Sequence, residues 1–213
     1  MTSAEPPAMG QIVILNGAPR SGKSSIAAVI QDTFDGPWMS LGVDVHMSGV
    51  MPRRYSPGIG LRPGGERPDL EPLVARFYAA LYESIAAHSR QGLNVVSDFG
   101  HHDGFAVPRG ILPDCARRLR GLPVLLVGVR CPIEVILERR RATGWGESRS
   151  EGFSESGAER WQREVHQPGI YDLEVDTSAM SPRECAQAIR QRLDAGRLPT
   201  AMQRLAAMPS GPP

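Results

Sequence analysis

The segment ILNGAPRSGKSS, residues 14–25, is the strongest indication of the fold of this 213-residue chain. It leaves a short apolar, β-branched run, QIVIL at residues 11–15, and passes through two glycines, a lysine and two serines. Such a run predicts a buried strand. Apolar residues then recur at helical spacing from Ile26 to Phe34, which predicts a helix. The order strand, glycine-rich loop and helix is therefore predicted here.

The loop matches the P-loop pattern G-x-x-x-x-G-K-[ST], with Gly17, Gly22, Lys23 and Ser24 at the required positions. Glycines let backbone N–H groups converge on phosphate oxygens, and the following helix adds the positive end of its dipole. Lys23 would neutralise the β- and γ-phosphates of ATP, and the Ser24 hydroxyl would bind Mg²⁺. We expect the ATP-binding residues of this loop to be Gly17, Ala18, Pro19, Arg20, Ser21, Gly22, Lys23, Ser24 and Ser25.

The basic residues are distributed unusually, because Lys23 is the only lysine among the 24 Lys and Arg residues. An arginine-rich genomic composition accounts for the other basic residues. The retained lysine stands where the planar guanidinium of arginine cannot replace a compact ammonium beneath a phosphate chain.

Composition narrows the function classes. The net charge of +1 gives no reason to expect a nucleic-acid or membrane-surface partner held by bulk electrostatics. The three cysteines are far apart, which argues against disulfides and zinc, and the first residues do not form a signal peptide. No apolar run approaches the ~18 residues of a membrane span. We expect a cytoplasmic protein with reduced thiols.

The rest of the chain alternates between strands and helices. Further strands are predicted at residues 38–44, 93–98, 123–130 and 171–177. This alternation predicts a single α/β domain with a five-stranded, mostly parallel sheet and helices on both faces. Together with the glycine-rich loop, it favours a P-loop kinase domain with a mobile lid. The domain would span residues 11–195, after a disordered N-terminus (1–10) and before a flexible C-terminal tail (196–213).

Two segments rich in loop-forming residues interrupt this alternation. Residues 52–69 are dense in Pro, Gly and Arg and would form a substrate-side loop. Residues 142–157 would form the lid, which in P-loop kinases excludes water and supplies cations to the transferring phosphoryl group. Arg149 lies within this lid and Arg139 at its hinge, although each arginine of the cluster at 139–141, taken alone, is better explained as a solvated helix residue.

Two aspartates end predicted strands at the sheet edge where open α/β folds bind ligands. Asp98 resembles the Walker-B carboxylate that orients Mg²⁺; the alternative is a residue that caps a turn. Asp44 could take the proton of an attacking hydroxyl, or it could be a structural turn residue. The adjacent sequence HHDG, residues 101–104, fits a loop lining the acceptor cleft better than a metal site.

At several of these places the chain resembles the chloramphenicol phosphotransferases, small P-loop kinases that inactivate an antibiotic. The segments that carry the resemblance are ILNGAPRSGKSS (14–25), WMSLGVD followed by MP (38–52), DFGHHDG (98–104), VLLVGVRCP (124–132) and VHQPGIYDLEVDTSAMSPRECAQAI (165–189). The similarity extends over about residues 10–193. The P-loop is shared by many kinases, whereas LGVD, VGVRC and YDLEVDTS are more diagnostic.

The resemblance implies roles for particular residues. It makes Asp44 the catalytic base that deprotonates a primary hydroxyl, which then attacks the γ-phosphate of ATP. It implies that Arg139 binds ATP and that Arg149 is a catalytic lid cation. We also place Val45, His46 and Phe99 on the substrate side. Residues 53–69 depart from the family pattern, so the identity of the acceptor is the property that transfers least.

Three hypotheses follow. The first, which we favour, is an ATP- and Mg²⁺-dependent O-phosphotransferase that acts on a hydroxyl of a small molecule, with an antibiotic as the expected acceptor, and confers resistance. The second is a nucleotide or metabolite kinase of the same fold. The third is a nucleotide-binding switch without transfer activity, against which a hydroxyl-side base argues. The sequence leaves open which hydroxyl is phosphorylated and whether the chain forms a homo-oligomer.

Overall fold

The computed structural model describes residues 8–52, 61–143 and 155–209, with only the backbone given for residues 155 and 156. Strands and helices alternate along these residues. In chain order they are β1 (Ile12–Asn16), α1 (Lys23–Thr33), β2 (Trp38–Ser40), α2 (Val43–Val50), α3 (Glu71–Arg90), β3 (Asn94–Phe99), α4 (Ile111–Arg118), β4 (Val124–Arg130), α5 (Ile133–Ala142), α6 (Glu155–Glu164), β5 (Leu173–Asp176), α7 (Pro182–Asp194) and α8 (Ala201–Ala206).

The five strands form one sheet in the order β2-β3-β1-β4-β5, and every pair is parallel. Strand β1 is central: Ile12 is in register with Val95 of β3 on one side and Val124 of β4 on the other. All five residues of β1 are buried, as the continuous apolar run predicts. The prediction of a single α/β domain with a parallel sheet is confirmed.

Helices cover both faces of the sheet. Because side chains alternate along a strand, Ile14 packs beneath α3, α4 and α8, while Val13 and Leu15 pack beneath α1 and α7. Helix α7 begins with the predicted capping box, in which the Ser181 hydroxyl and the Glu184 carboxylate bind each other's backbone N–H. Among the residues described, no helix combines the length and apolar character needed to cross a bilayer.

The second strand is shorter than predicted, and this changes the setting of Asp44. Strand β2 ends at Ser40, and after one more contact, Leu41 N to Val96 O at 3.1 Å, the chain turns at Gly42 into α2. Asp44 therefore lies in the first turn of a helix instead of at the end of a strand. The helix dipole favours a carboxylate at this position.

The C-terminal segment also differs from its prediction as a flexible tail. Helix α8 packs against α4 and the sheet, and its residues Ala201 and Leu205 are fully buried. The Asp172 carboxylate accepts hydrogen bonds from the backbone N–H groups of Thr200 and Ala201, at 2.7 and 2.9 Å. Asp172 lies 28 residues before Thr200 in the sequence. The composition of the Pro- and Gly-rich tail therefore gives no sign that its helix is capped by a distant residue.

Two other predicted segments are only partly described. At the N-terminus, Gly10 belongs to the fold, because it exchanges hydrogen bonds with Ser89 at 2.8 and 2.6 Å. The substrate-side loop is described from Leu61 onward. Most of the predicted lid, with Arg149, lies outside the described residues.

Candidate active site

The glycine-rich loop joins the carboxyl end of β1 to the first residue of α1. Two of its residues have left-handed backbone conformations, Arg20 with φ of 69° and Gly22 with φ of 95°. Such a conformation is uncommon for a residue other than glycine, and it is characteristic of functional loops. Because Gly22 is the N-cap of α1 and has no side chain, the first N–H groups of the helix are not capped by that residue. The arrangement is that of an anion-binding loop.

Lys23 extends back along this loop. Its ammonium donates hydrogen bonds to the carbonyl oxygens of Gly17 and Ala18, at 2.9 and 2.8 Å. Burial lowers the pKa of Lys23 to about 8, and the nearby carboxylates of Asp98 and Asp44 act in the opposite direction. A phosphate anion would stabilise the charge of this buried ammonium through charge-assisted hydrogen bonds.

The two residues predicted to bind Mg²⁺ are in contact. The Ser24 hydroxyl donates a 2.8 Å hydrogen bond to Oδ2 of Asp98, at the carboxyl end of β3. The other oxygen of Asp98 lies against Gly42, where an added Cβ would be only 1.8 Å from Oδ1. Within the described residues, no group of three or more His, Cys, Asp or Glu side chains is arranged to hold a metal. One hydroxyl and one carboxylate fit Mg²⁺ that is bound together with phosphates.

One cavity of about 580 Å³ contains these groups and the proposed acceptor-side residues. The loop and α1 contribute Gly17, Pro19, Arg20, Gly22, Lys23, Ser24 and Ser25. Residues from α2, α3 and β3, and one loop residue, contribute Val43, Asp44, Met47, Leu61, Tyr78, Asp98 and Phe99. Of the predicted ATP-binding loop residues, Ala18 and Ser21 are instead buried beneath the cavity wall.

Helix α2 presents a different set of residues to the cavity from the one predicted. Val43, Asp44 and Met47 line it, as neighbours on one helical face would. Val45 is 54 % exposed, and the ring of His46 packs 5.1 Å from that of Phe77. The helical turn at residues 43–46 directs these two side chains elsewhere, so of the predicted substrate residues only Phe99 lines the cavity.

Tyr78 of α3 lines the cavity but is absent from the sequence-based site. Its buried ring lies 6.0 Å from that of Phe99. Burial first, and then the nearby Asp44 carboxylate, raise the pKa of Tyr78, so the phenol stays protonated. In sequence, Tyr78 is indistinguishable from the apolar residues that recur along α3, which explains why the pattern did not single it out.

Arg139 lines the same cavity and is held in place by the loop after β5. Its guanidinium donates to the Thr177 carbonyl at 2.7 Å and to the Thr177 hydroxyl at 3.0 Å. A further 3.4 Å contact reaches the Arg20 carbonyl, and Thr177 itself donates to the Ser21 carbonyl at 2.7 Å. Arg139 therefore joins α5, the loop after β5 and the P-loop. Sequence reasoning missed Thr177, because only the fold places it beside residue 21.

The two adjacent histidines, His101 and His102, are buried next to the residues that line the cavity. His101 is buried, its Nε2 lies 2.7 Å from the Tyr82 hydroxyl, and burial lowers the pKa of His101 to about 3. His102 accepts the N–H of Gly104 on Nδ1, which leaves Nε2 to donate to the Leu61 carbonyl at 2.9 Å. Neither ring lines the cavity, although His102 positions Leu61, which does.

Sequence comparison with known proteins identifies the family to which the chain belongs. A family profile described as "Chloramphenicol phosphotransferase-like protein" matches residues 10–194. The chain belongs to this family. The match includes the P-loop, Asp44, Asp98 and Arg139, so the resemblance inferred from sequence segments is confirmed. As a member of the family, the chain is a kinase of the P-loop fold.

Individual relatives are more distant. Two proteins of Mycobacterium tuberculosis, from strains CDC 1551 / Oshkosh and ATCC 25618 / H37Rv, are named "Putative O-phosphotransferase". Each is 28% identical to this chain, in alignments that cover 92% of the chain and 88% of the relative.

Solved structures with 12–17% identity share the fold. The M. tuberculosis APS kinase CysC with AMPPNP and APS has a TM-score of 0.63 and 17% identity, covering 88% of this chain and 99% of that chain. Shikimate kinase from Acinetobacter baumannii has a TM-score of 0.60 and 12% identity, covering 90% and 97%. The Deinococcus radiodurans tunicamycin resistance protein has a TM-score of 0.56 and 16% identity, covering 96% and 99%.

Proposed function

We propose that this kinase transfers the γ-phosphoryl group of ATP to a hydroxyl of a small molecule, with Asp44 as the general base. The observation that carries the proposal is that a single cavity contains both the phosphate-binding residues, Lys23 and Ser24, and the carboxylate of Asp44. A protein that only bound or hydrolysed the nucleotide would not need a base for an acceptor hydroxyl.

On the donor side, the P-loop N–H groups and the N-terminus of α1 would hold the phosphate chain. Lys23 would exchange its two carbonyl partners for phosphate oxygens, which raises its pKa again and favours the charged ammonium. Ser24 and Asp98, already 2.8 Å apart, would hold Mg²⁺. When bound, this ion neutralises charge on the phosphates and orients them.

On the acceptor side, Asp44 would accept the hydroxyl proton while the hydroxyl oxygen attacks the γ-phosphorus. The bond between that phosphorus and the β,γ-bridging oxygen then breaks, and ADP departs with the bond's electron pair. Lys23 interacts electrostatically with Asp44, and a carboxylate beside the acceptor hydroxyl can take its proton. Tyr78, whose phenol stays protonated, would contact the acceptor and not remove its proton.

The acceptor-side wall supports a substrate with an apolar body. It combines one carboxylate with Val43, Met47, Leu61, Tyr78 and Phe99. Apolar walls with a few placed polar groups are typical of sites for small organic ligands. A hydroxylated antibiotic of the chloramphenicol type fits this description, and a fold neighbour is named for tunicamycin resistance. Arg149 remains the sequence-based candidate for an additional cation at the transferring group.

A product screen tests the proposal. The purified protein is incubated with ATP, Mg²⁺ and single compounds from a panel of hydroxylated antibiotics, nucleoside monophosphates and sugars, beginning with chloramphenicol. Mass spectrometry should detect an added phosphoryl group on an antibiotic, and the Lys23→Ala variant should form none. Phosphorylation confined to a nucleoside monophosphate or sugar would contradict the antibiotic assignment. ATP hydrolysis unaffected by every compound would contradict transfer itself.

A further inference from the structure

An unused hydrogen-bond donor lies in the cavity wall. Trp161, on α6, lines the cavity, and its indole nitrogen Nε1 is buried with no hydrogen-bond partner among the residues that the structure describes. Burying a polar group without a partner is unfavourable, and native structures contain few such groups. None of the roles assigned above uses this N–H.

This nitrogen lies close to Gly100, directly after β3, and near the start of the P-loop. A Cβ added to Gly100 would lie 3.0 Å from Nε1 of Trp161 and 3.4 Å from the Gly17 carbonyl oxygen. On its other side, the Trp161 ring borders a small second cavity with Ala18 and Pro19. The N–H therefore lies beside the first half of the P-loop, close to where β1 and β3 end.

Neighbouring polar groups already have other partners. The His102 ring lies edge-on to Trp161 at 5.7 Å, but its Nδ1 accepts from Gly104 and its Nε2 donates to Leu61. The carbonyl oxygens of Gly17 and Ala18 both accept from Lys23. Although these carbonyl oxygens could accept a second hydrogen bond, none of the described residues accepts from the Trp161 N–H, so a ligand oxygen could supply the missing acceptor.

We propose that the Trp161 indole N–H donates a hydrogen bond to an oxygen of the terminal phosphoryl group of ATP. This inference rests on the proposed function, because it places the γ-phosphate between the P-loop and Asp44. Indole is a donor only, so Trp161 can recognise phosphoryl oxygens but cannot act as a base. A donor at this point distinguishes ATP from ADP, because only ATP carries the third phosphate.

Nucleotide binding to the Trp161→Phe variant tests the inference. Phenylalanine keeps an aromatic ring and removes the N–H. We expect the dissociation constant of the non-hydrolysable β,γ-imido analogue of ATP, measured by calorimetry with Mg²⁺, to rise about tenfold, as for loss of a hydrogen bond to a charged group. The constant for ADP should change by less than about twofold.

Trp38→Phe is the matched control. It also removes an indole N–H, but that N–H donates to the Asp35 carbonyl at 3.2 Å, and Trp38 does not line the cavity. This variant should leave the ratio of the two constants unchanged.

The outcomes separate the two proposals. An unchanged ratio in Trp161→Phe, equal losses for the ATP analogue and ADP, or a change only in the acceptor KM would each overturn the assignment of Trp161, while the kinase proposal stands. Failure of the wild-type chain to bind the ATP analogue would overturn both proposals. Retained ADP affinity in the variant shows that the site is folded.

Discussion

Replacing Gly42 by alanine should disable the kinase without unfolding it. Gly42 has φ of −70° and ψ of 162°, which alanine adopts without strain, so the backbone conformation does not oppose the change. The added Cβ, however, would be 1.8 Å from Oδ1 of Asp98, where real Cβ contacts are essentially never below 3.0 Å. The substitution therefore acts through one contact, between the acceptor-side helix and the metal-side carboxylate.

The structure sets the size of the effect. To relieve the clash, Asp98 or the start of α2 must move by about 1.2 Å or more, and either movement disturbs the site. If Asp98 moves, its 2.8 Å bond to Ser24 is lost; if α2 moves, Asp44 is displaced. Displacements of about 1 Å cost on the order of 10²-fold in rate, while overpacking costs roughly 1–3 kcal/mol of stability.

Steady-state phosphoryl transfer as a function of Mg²⁺ concentration measures this effect. Gly42→Ala should lower kcat about 100-fold and raise the Mg²⁺ concentration required for half-maximal rate. Gly49→Ala is the matched control, since Gly49 lies on the same helix and an added Cβ would have no atom of the described residues within 4 Å. Wild-type rates and Mg²⁺ dependence in Gly42→Ala would refute the claim that close packing on Gly42 positions Asp98.

Three further predictions concern regions around the site. Arg139→Lys removes the guanidinium that donates to both the carbonyl and the hydroxyl of Thr177. It should weaken ATP binding about tenfold, as measured by calorimetry. Leu205→Ala should lower the free energy of unfolding by about 2–5 kcal/mol in urea, because this side chain of α8 is fully buried. His101 should make the fold acid-sensitive. Its pKa is about 3 in the folded chain and 6.5 when unfolded, so the unfolded chain binds the proton first, and stability should fall by about 2 kcal/mol from pH 7 to pH 5.

Each of these has an outcome that would contradict it. Arg139→Lys with wild-type ATP affinity would mean that the contact with Thr177 does not shape the nucleotide site. For α8, Leu198→Ala is the control, since Leu198 is 85 % exposed, and equal effects of the two substitutions would contradict the packing of the helix. A His101→Gln variant should lose less stability on acidification than the wild type; an identical loss would assign the effect to other groups.

The sequence predicted the donor half of the site far better than the acceptor half. The P-loop is formed by one continuous segment that includes its glycines, Lys23 and Ser24. The strand before it and the helix after it can be predicted from hydrophobic periodicity. Asp98 could be paired with Ser24 because parallel strands bring their carboxyl ends to one edge. The single lysine in the sequence drew attention to Lys23, whose ammonium lies against the Gly17 and Ala18 carbonyl oxygens of the loop.

The acceptor side of the site depends on which side chains enter the cavity, and the periodicity of the sequence does not determine this. Residues 43–46 alternate neither like a strand nor clearly like a helix, and the turn at Gly42 decides which side chains enter the cavity. Tyr78 and Trp161 reach the site from helices whose sequence patterns indicate only packing. Thr177 acts through a contact between residues 156 positions apart. Such contacts arise from the assembled tertiary structure and have no local signature.

Single-turnover phosphoryl transfer by the Asp44→Asn variant tests whether Asp44 removes the proton of the acceptor hydroxyl. The measurement uses saturating ATP and the acceptor identified by the product screen, with the exposed Asp32→Asn variant of α1 as control. Asparagine keeps the shape of the side chain but cannot accept the proton, so transfer should slow by about 10²–10⁴-fold while ATP binding is retained. A transfer rate in Asp44→Asn equal to that of the wild type would contradict the account.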